Sequence, residues 1–229
     1  GTAIRMSFGV FIDPLQIQFG WSQGGIGLAY AFSSIVSALV SPWAGGLGDR
    51  YGARKAMLVG TALFLIGMIA TAYVTELWHF WLTYGVILGI AQAIFLVPLI
   101  PAAMIWFRRH LGMAMGLIMA SWGLGPALAT PLIAYLVDSM GWSDSFLTIG
   151  IASSILMIVF IFIFRNRPGD VSLKAYGTLL SDPPLSDKIP PAKLLTEFNQ
   201  YIRKTAAYWN LSSIHFLGCV GHAVILIWI

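Results

Sequence analysis

Apolar residues fall in long runs along this chain, and each run is of a length to cross a bilayer. A transmembrane helix needs about 20 consecutive apolar residues, and seven such runs can be laid out between short polar breaks. The first is under way at Gly1 and ends near Phe19, and the second covers about Gln23 to Leu47. The third spans about Ala56 to Val74, the fourth about Phe80 to Phe107, the fifth about Leu111 to Val137 and the sixth about Ser143 to Phe164. A polar stretch follows, and a seventh run begins near Tyr208 and continues to Ile229.

Composition supports this layout. Apolar residues make up 58% of the chain and charged residues 10%, against about 25% charge in a soluble domain. An all-α polytopic membrane protein is the expectation. The single cysteine, Cys219, excludes an internal disulfide and a thiolate metal cluster. The first residues read as the interior of a membrane helix, without a basic segment and cleavage site.

Charge placement adds an orientation. Of the 13 Lys and Arg residues, all except Arg5 lie in the breaks after runs two, four and six. The other breaks hold Glu76, His79, Asp138 and Asp144 and no Lys or Arg. Basic residues mark the cytoplasmic side, so the amino-terminal end is expected inside the cell. The basic balance is thus a topology signal, and nucleic acid is not an expected partner. The bilayer is.

The stretch 165–207 changes character. Pro168, Pro183, Pro184, Pro190 and Pro191 among Ser and Asp predict a flexible cytoplasmic linker. Within it, Leu194, Leu195, Phe198, Tyr201 and Ile202 recur at helical spacing. Either a surface-lying amphipathic helix over 193–205 or an ordinary helical linker would give that pattern. The expected domains are a six-span bundle over 1–164, a central loop over 165–207 and the start of a second bundle over 208–229.

The densest knot of charge is Gly45-Gly46-Leu47-Gly48-Asp49-Arg50-Tyr51-Gly52-Ala53-Arg54-Lys55. Between two membrane-length runs it predicts a tight surface turn, with Gly48 and Gly52 supplying backbone freedom. Gly45, Asp49, Arg50, Gly52, Arg54 and Lys55 also match the Gly-x-x-x-Asp-Arg-x-Gly-x-Arg-Lys loop between spans 2 and 3 of major facilitator superfamily transporters. Arg5-Met-Ser-Phe-Gly-Val-Phe with Pro14-Leu15 and Phe19-Gly20-Trp21-Ser22 resembles span 1 of the monocarboxylate transporter and oxalate/formate antiporter-like group. Trp106-Phe107-Arg108-Arg109-His110-Leu111-Gly112-Met113-Ala114-Met115-Gly116 is similar to the entry into that group's span 5. The resemblance implies the amino-terminal six-helix bundle of a twelve-span major facilitator fold plus the start of span 7, hence a fragment of a longer carrier. It also implies that the 45–55 loop moves during alternating access; as a plain turn, its charges would only set topology.

Counting back from Gly20 puts Arg5 near the bilayer midplane, where an Arg usually faces a water-filled cavity or a partner. A planar guanidinium fork suits a carboxylate, so Arg5 is the leading candidate for binding an anionic substrate; the alternative is an Arg that snorkels to the interface. Gln92 and Tyr84 on span 4 and His222 on span 7 are further candidate substrate contacts. A helix–helix hydrogen bond competes as the role of Gln92, and hydrogen-bonded packing as that of His222. Pro98 and Pro101 are expected to loosen the end of span 4. Gly85-x-x-x-Gly89 and Gly112-x-x-x-Gly116 are expected to allow close helix approach, and Ser33, Ser34 and Ser37 to pack between helices. The four histidines lack metal-ligand spacing. No metal, cofactor or enzymatic constellation is expected.

The function expected is secondary transport of a small organic anion, a monocarboxylate first, by proton symport or exchange for a counter-anion across the plasma (inner) membrane. A carrier of a sugar, drug or other metabolite is the alternative within the class. A non-transporting membrane sensor or assembly protein is the alternative outside it.

Overall fold

The computed structural model describes residues 6–179, 182, 197, 200–214 and 217–218. Contacts divide the chain into two units, Gly1–Asp182 and Pro183–Ile229. The first unit thus takes in residues 165–182 together with the six spans.

The first unit is a bundle of helices. In span 1 a tight 3-10 turn, Phe8–Phe11, leads into an α-helix, Ile12–Phe19. Span 2 is the helix Gln23–Tyr51, started by Ser22, whose hydroxyl accepts from the Gly25 N–H at 3.1 Å. Such a cap satisfies one of the donors left open at a helix start. Span 3 is Ala53–Ala72. Span 4 runs from Leu77 to Met104 in three parts: an α-turn (Leu77–Phe80), a π-helical segment (Trp81–Ile87) and an α-helix (Leu88–Met104). The last part runs through both Pro98 and Pro101, so the irregularity of span 4 lies at its other end and not at the prolines.

Spans 5 and 6 form one helical stretch, Leu111–Ile163, interrupted at Gly141 (φ 83°, ψ 166°). A straight helix of 53 residues would extend about 80 Å. Instead the chain folds back. The Trp106 indole N–H, just before span 5, donates to the Arg165 carbonyl just after span 6 at 3.2 Å. At the opposite end, the Ser143 hydroxyl donates to the Ala72 carbonyl at 2.7 Å. Gly141 sits in a backbone region open essentially only to glycine, and that residue makes the reversal.

Four helices among the described residues are long and apolar enough to cross a membrane. Counting both arms of the hairpin and the helix of span 1, the six-helix arrangement expected from the sequence is present. Association of helices in lipid depends on close packing more than on hydrophobic drive, and small residues supply it here. A Cβ on Gly60 would lie 2.8 Å from the Phe95 backbone nitrogen, and one on Gly89 would lie 2.9 Å from the Ser33 carbonyl oxygen. One on Gly150 would lie 2.6 Å from the Met68 Cβ. Spans 3 and 4, 2 and 4, and 3 and 6 are thereby drawn together, and Gly85-x-x-x-Gly89 acts as expected. Gly112 and Gly116 do not: no described atom stands within 4 Å of a Cβ on either.

One apolar cluster occupies the middle and the non-basic end, built on Phe11, Leu15, Ile26, Met68, Phe80, Tyr84 and Phe146. A smaller one, Ala53, Met57, Ala102 and Ile161, lies at the basic end. Of the second unit, residues 200–202 and 206–214 are helical, and the Trp209 indole donates to the Arg203 carbonyl at 2.8 Å. Residues 193–196 and 198–199, most of the start of the anticipated amphipathic helix, lie outside the described residues.

Candidate functional site

Spans 1 and 4 each depart from α-helical winding over one segment. Ser7 (φ −93°, ψ 15°) opens the 3-10 turn of span 1, and its carbonyl accepts from the Val10 N–H at 3.1 Å. In span 4 the π-helical segment carries Tyr84. The two segments touch: the Phe8 ring lies 4.9 Å from the Tyr84 ring and 6.3 Å from that of Phe80. Single-turn π segments concentrate at functional sites. This one is anchored by the Trp81 indole, which donates to the Gly25 carbonyl of span 2 at 2.7 Å.

Around this contact the structure gathers several residues singled out from sequence. Tyr84 is 2% exposed, and its ring packs against Phe8, Phe80 and Phe146. Tyr30 of span 2 packs against Phe8 at 5.8 Å. Ser33 is buried against Gly89 of span 4, whereas the Ser34 hydroxyl donates to the Tyr30 carbonyl of its own helix at 3.1 Å. Gln92 is half-buried on span 4, three residues beyond Gly89, where spans 2 and 4 cross. Tyr30, Ser34, Tyr84 and Gln92 are all engaged by neighbours. Arg5 and His222 lie outside the described residues.

Two connections were not anticipated. The Ser7 and Thr130 hydroxyls stand 2.6 Å apart, joining span 1 to span 5, and the Thr130 hydroxyl also donates to the Pro126 carbonyl at 2.8 Å. A lone hydroxyl within an apolar run was the available signal. Towards the non-basic end, the Trp142 indole donates to the Gln18 side-chain oxygen, and Phe19 stacks on Trp21 at 4.4 Å. Phe11 stacks on Phe146 at 4.3 Å below them. Aromatic rings thus seal span 1 against spans 4 and 6 at that end.

The 45–55 loop lies at the other end. Span 2 continues through Gly48, Asp49 and Arg50 to Tyr51, so the turn itself is the single residue Gly52 (φ 85°, ψ 148°). Gly48 therefore does not supply turn freedom. It allows contact with span 4, since a Cβ there would lie 2.6 Å from the Pro98 Cβ. Gly45 faces Val97 of the same helix. Asp49, Arg50 and Lys55 are exposed. The Arg54 backbone N–H donates to the Asn166 side-chain oxygen at 2.9 Å, its guanidinium donates to the Phe162 carbonyl at 3.4 Å and its Cζ lies 5.5 Å from the Phe162 ring centre.

Asn166 belongs to the segment expected to be a flexible linker, and the structure corrects that expectation for its first part. Residues 165–179 form a strap across the basic end. A 3-10 turn, Pro168–Val171, is followed by a paired stretch in which the Tyr176 N–H donates to the Trp106 carbonyl at 2.7 Å and the Arg108 N–H donates to the Tyr176 carbonyl at 2.9 Å. Its own residues Pro168 and Ala175 are buried. The Arg109–Asp182 pair, 3.9 Å apart, is partly exposed and contributes little. Among the described residues no group of His, Cys, Asp and Glu could hold a metal ion.

These features define a polytopic, all-helical integral membrane protein in which a 3-10 turn of the first span meets a π-helical segment of the fourth. The chain belongs to the Major Facilitator Superfamily, whose family model matches residues 2–229. It is similar to Monocarboxylate transporter 11 of Mus musculus, 28% identical over 144 residues, covering 63% of this chain and 32% of that protein. It is also similar to Monocarboxylate transporter 13 of Bos taurus, 26% identical over 150 residues, with 66% and 35% covered. To Probable anion transporter 3, chloroplastic, of Oryza sativa subsp. japonica it is 27% identical over 249 residues, with 99% and 45% covered. The chain thus spans about a third to just under half of these relatives, from 32% to 45% of their lengths.

Proposed function

We propose that this chain serves in a secondary carrier that moves a small organic anion, a monocarboxylate, across a membrane by alternating access. The observation that carries the reading is similarity to proteins named as monocarboxylate and anion transporters. Arg5 is the partner for the carboxylate, with Tyr84 and Gln92 lining the site from span 4 and His222 contributing from span 7. The 45–55 loop, with Gly45, Asp49, Arg50, Gly52, Arg54 and Lys55, serves as the conformational element. Its basic end faces the cytoplasm of a plasma (inner) membrane, in keeping with the bias of Lys and Arg to that side. Protons or a counter-anion couple the transport, and the chain performs no covalent chemistry.

Competition in proteoliposomes holding the intact protein tests this reading. Uptake of radiolabelled pyruvate is expected to saturate, and to fall in the presence of excess unlabelled monocarboxylate but not of excess glucose. Pyruvate uptake no faster than in empty vesicles, with saturable uptake of a sugar, would replace it with a carrier of another solute.

A further inference from the structure

Span 1 and span 4 each leave α-helical winding over one short segment, and those segments face each other. Span 1 is overwound over Phe8–Phe11, and span 4 is underwound over Trp81–Ile87. Phe8 and Tyr84 form the contact at 4.9 Å between ring centres. A 3-10 winding has poorer hydrogen-bond geometry than an α-helix and a π winding is rare, so what holds them in place comes from tertiary contacts. In folds built from two inverted three-span repeats, spans 1 and 4 are the equivalent first members.

The residue next to Phe8 is tied elsewhere. Ser7 is 2% exposed, and its hydroxyl stands 2.6 Å from that of Thr130. The Thr130 hydroxyl has one proton and gives it to the Pro126 carbonyl at 2.8 Å. Ser7 must then be the donor to Thr130. The result is a directed chain from Ser7 through Thr130 to the backbone of span 5. Thr130 itself lies between Pro126 and Pro131, two residues that cannot donate to the helix ladder. The irregular winding of span 1 is therefore tied, through the buried Ser7 and the half-buried Thr130, to a helical part of span 5 that carries two prolines.

We infer that Ser7 and Thr130 form a positioning latch that holds the 3-10 turn of span 1 against the π-helical segment of span 4, and that this latch sets how tightly the site between those spans holds its solute. The second half rests on the carrier reading above; the first does not. Neither hydroxyl needs to touch the solute. The latch acts by keeping Phe8 on Tyr84, and hence by keeping span 4 in the π winding that carries Tyr84.

The test uses the intact protein with Ser7→Ala, Thr130→Val, both together, and Thr130→Ser, which keeps the hydroxyl. Hydrogen exchange read by mass spectrometry is expected to accelerate about five-fold over residues 8–11 and 81–87 in each single variant. It should stay unchanged over 57–70. The double variant should exchange no faster than either single one, because the two substitutions remove the same bond. Thr130→Ser should match the wild type. In proteoliposomes the pyruvate KM should rise about five-fold in the single variants with the maximal rate retained. Acceleration confined to 8–11, or additive effects in the double variant, overturns the latch. An unchanged KM beside accelerated exchange overturns its role at the site. If both segments accelerate while wild-type protein carries no pyruvate, the latch stands and the anion reading falls.

Discussion

The side-chain oxygen of Asn166 accepts a hydrogen bond from the backbone N–H of Arg54 at 2.9 Å, so a residue beyond the end of span 6 caps the start of span 3. The residue at the N-cap position is Gly52, which has no side chain to do this. Asn166 also occupies the space beside it: a Cβ on Gly52 would lie 2.9 Å from the Asn166 amide nitrogen. The turn, the cap and the strap are one unit at the basic end.

Removing that cap is expected to destabilise the protein by about 1 kcal/mol, the usual loss when an N-cap side chain is deleted. Asn166→Ala should lower the thermal midpoint of the detergent-solubilised protein, whereas Asn166→Asp, which keeps an acceptor, should preserve it. Equal midpoints for Asn166→Ala and wild type would show that water replaces the cap without loss.

Gly48 and Gly46 offer a matched pair. A methyl group on Gly48 meets Pro98 at 2.6 Å, while nothing described lies within 4 Å of one on Gly46. Overpacking a close contact costs about 1–3 kcal/mol, so Gly48→Ala should lower thermal stability and Gly46→Ala should not. Similar behaviour of the two variants would mean that spans 2 and 4 separate easily at this end.

Gly141 isolates backbone strain from crowding. Its φ of 83° and ψ of 166° disfavour any side chain, yet a Cβ there would meet nothing within 4 Å. Gly141→Ala should cost about 1–3 kcal/mol through strain alone, read as a lower thermal midpoint. An unshifted midpoint would indicate that the hairpin between spans 5 and 6 can reverse in another way.

What sequence could and could not disclose follows from which forces act on each feature. The spans are legible because lipid demands long apolar runs, and Gly141 falls in the short break read between Val137 and Ser143. The helices run past the apolar runs because charge does not end a helix at the membrane surface. Span 2 carries Asp49 and Arg50 in its last turn, and span 3 begins at Ala53, ahead of Arg54 and Lys55; charged side chains at a membrane surface can reach water from inside a helix. The π winding at Tyr84 has no compositional signature, since its anchors, Gly25 and Phe8, lie on other spans. The strap lacks a signature for a related reason. Proline and serine mark it as non-helical, but its bonds to Trp106 and Arg108 use backbone groups that every residue possesses. Close helix approach at Gly85 and Gly89 was legible, but not that span 2 is the partner; the Ser7–Thr130 pair depends on a tertiary meeting of hydroxyls.

Asp49 separates topology from mechanism. It is exposed, and none of the described residues bonds its side chain in this arrangement. On the carrier reading it gains a charge-assisted partner in another conformation, an interaction whose loss corresponds to about ten-fold in rate. Asp49→Asn should therefore slow pyruvate uptake by about that factor while leaving the thermal midpoint and expression unchanged. Uptake at the full rate would reduce the loop to a topology signal.

The measurement closest to the central claim compares pyruvate uptake by the intact protein carrying Arg5, Arg5→Lys and Arg5→Gln in proteoliposomes. A guanidinium holding a carboxylate through a planar fork is poorly replaced by an ammonium and not at all by an amide. Affinity is therefore predicted to fall in the order Arg, Lys, Gln, with a loss of at least about ten-fold for Arg5→Gln. Wild-type affinity in the Arg5→Gln protein would contradict the account, because the anion would then be recognised without the one basic residue expected at the membrane midplane.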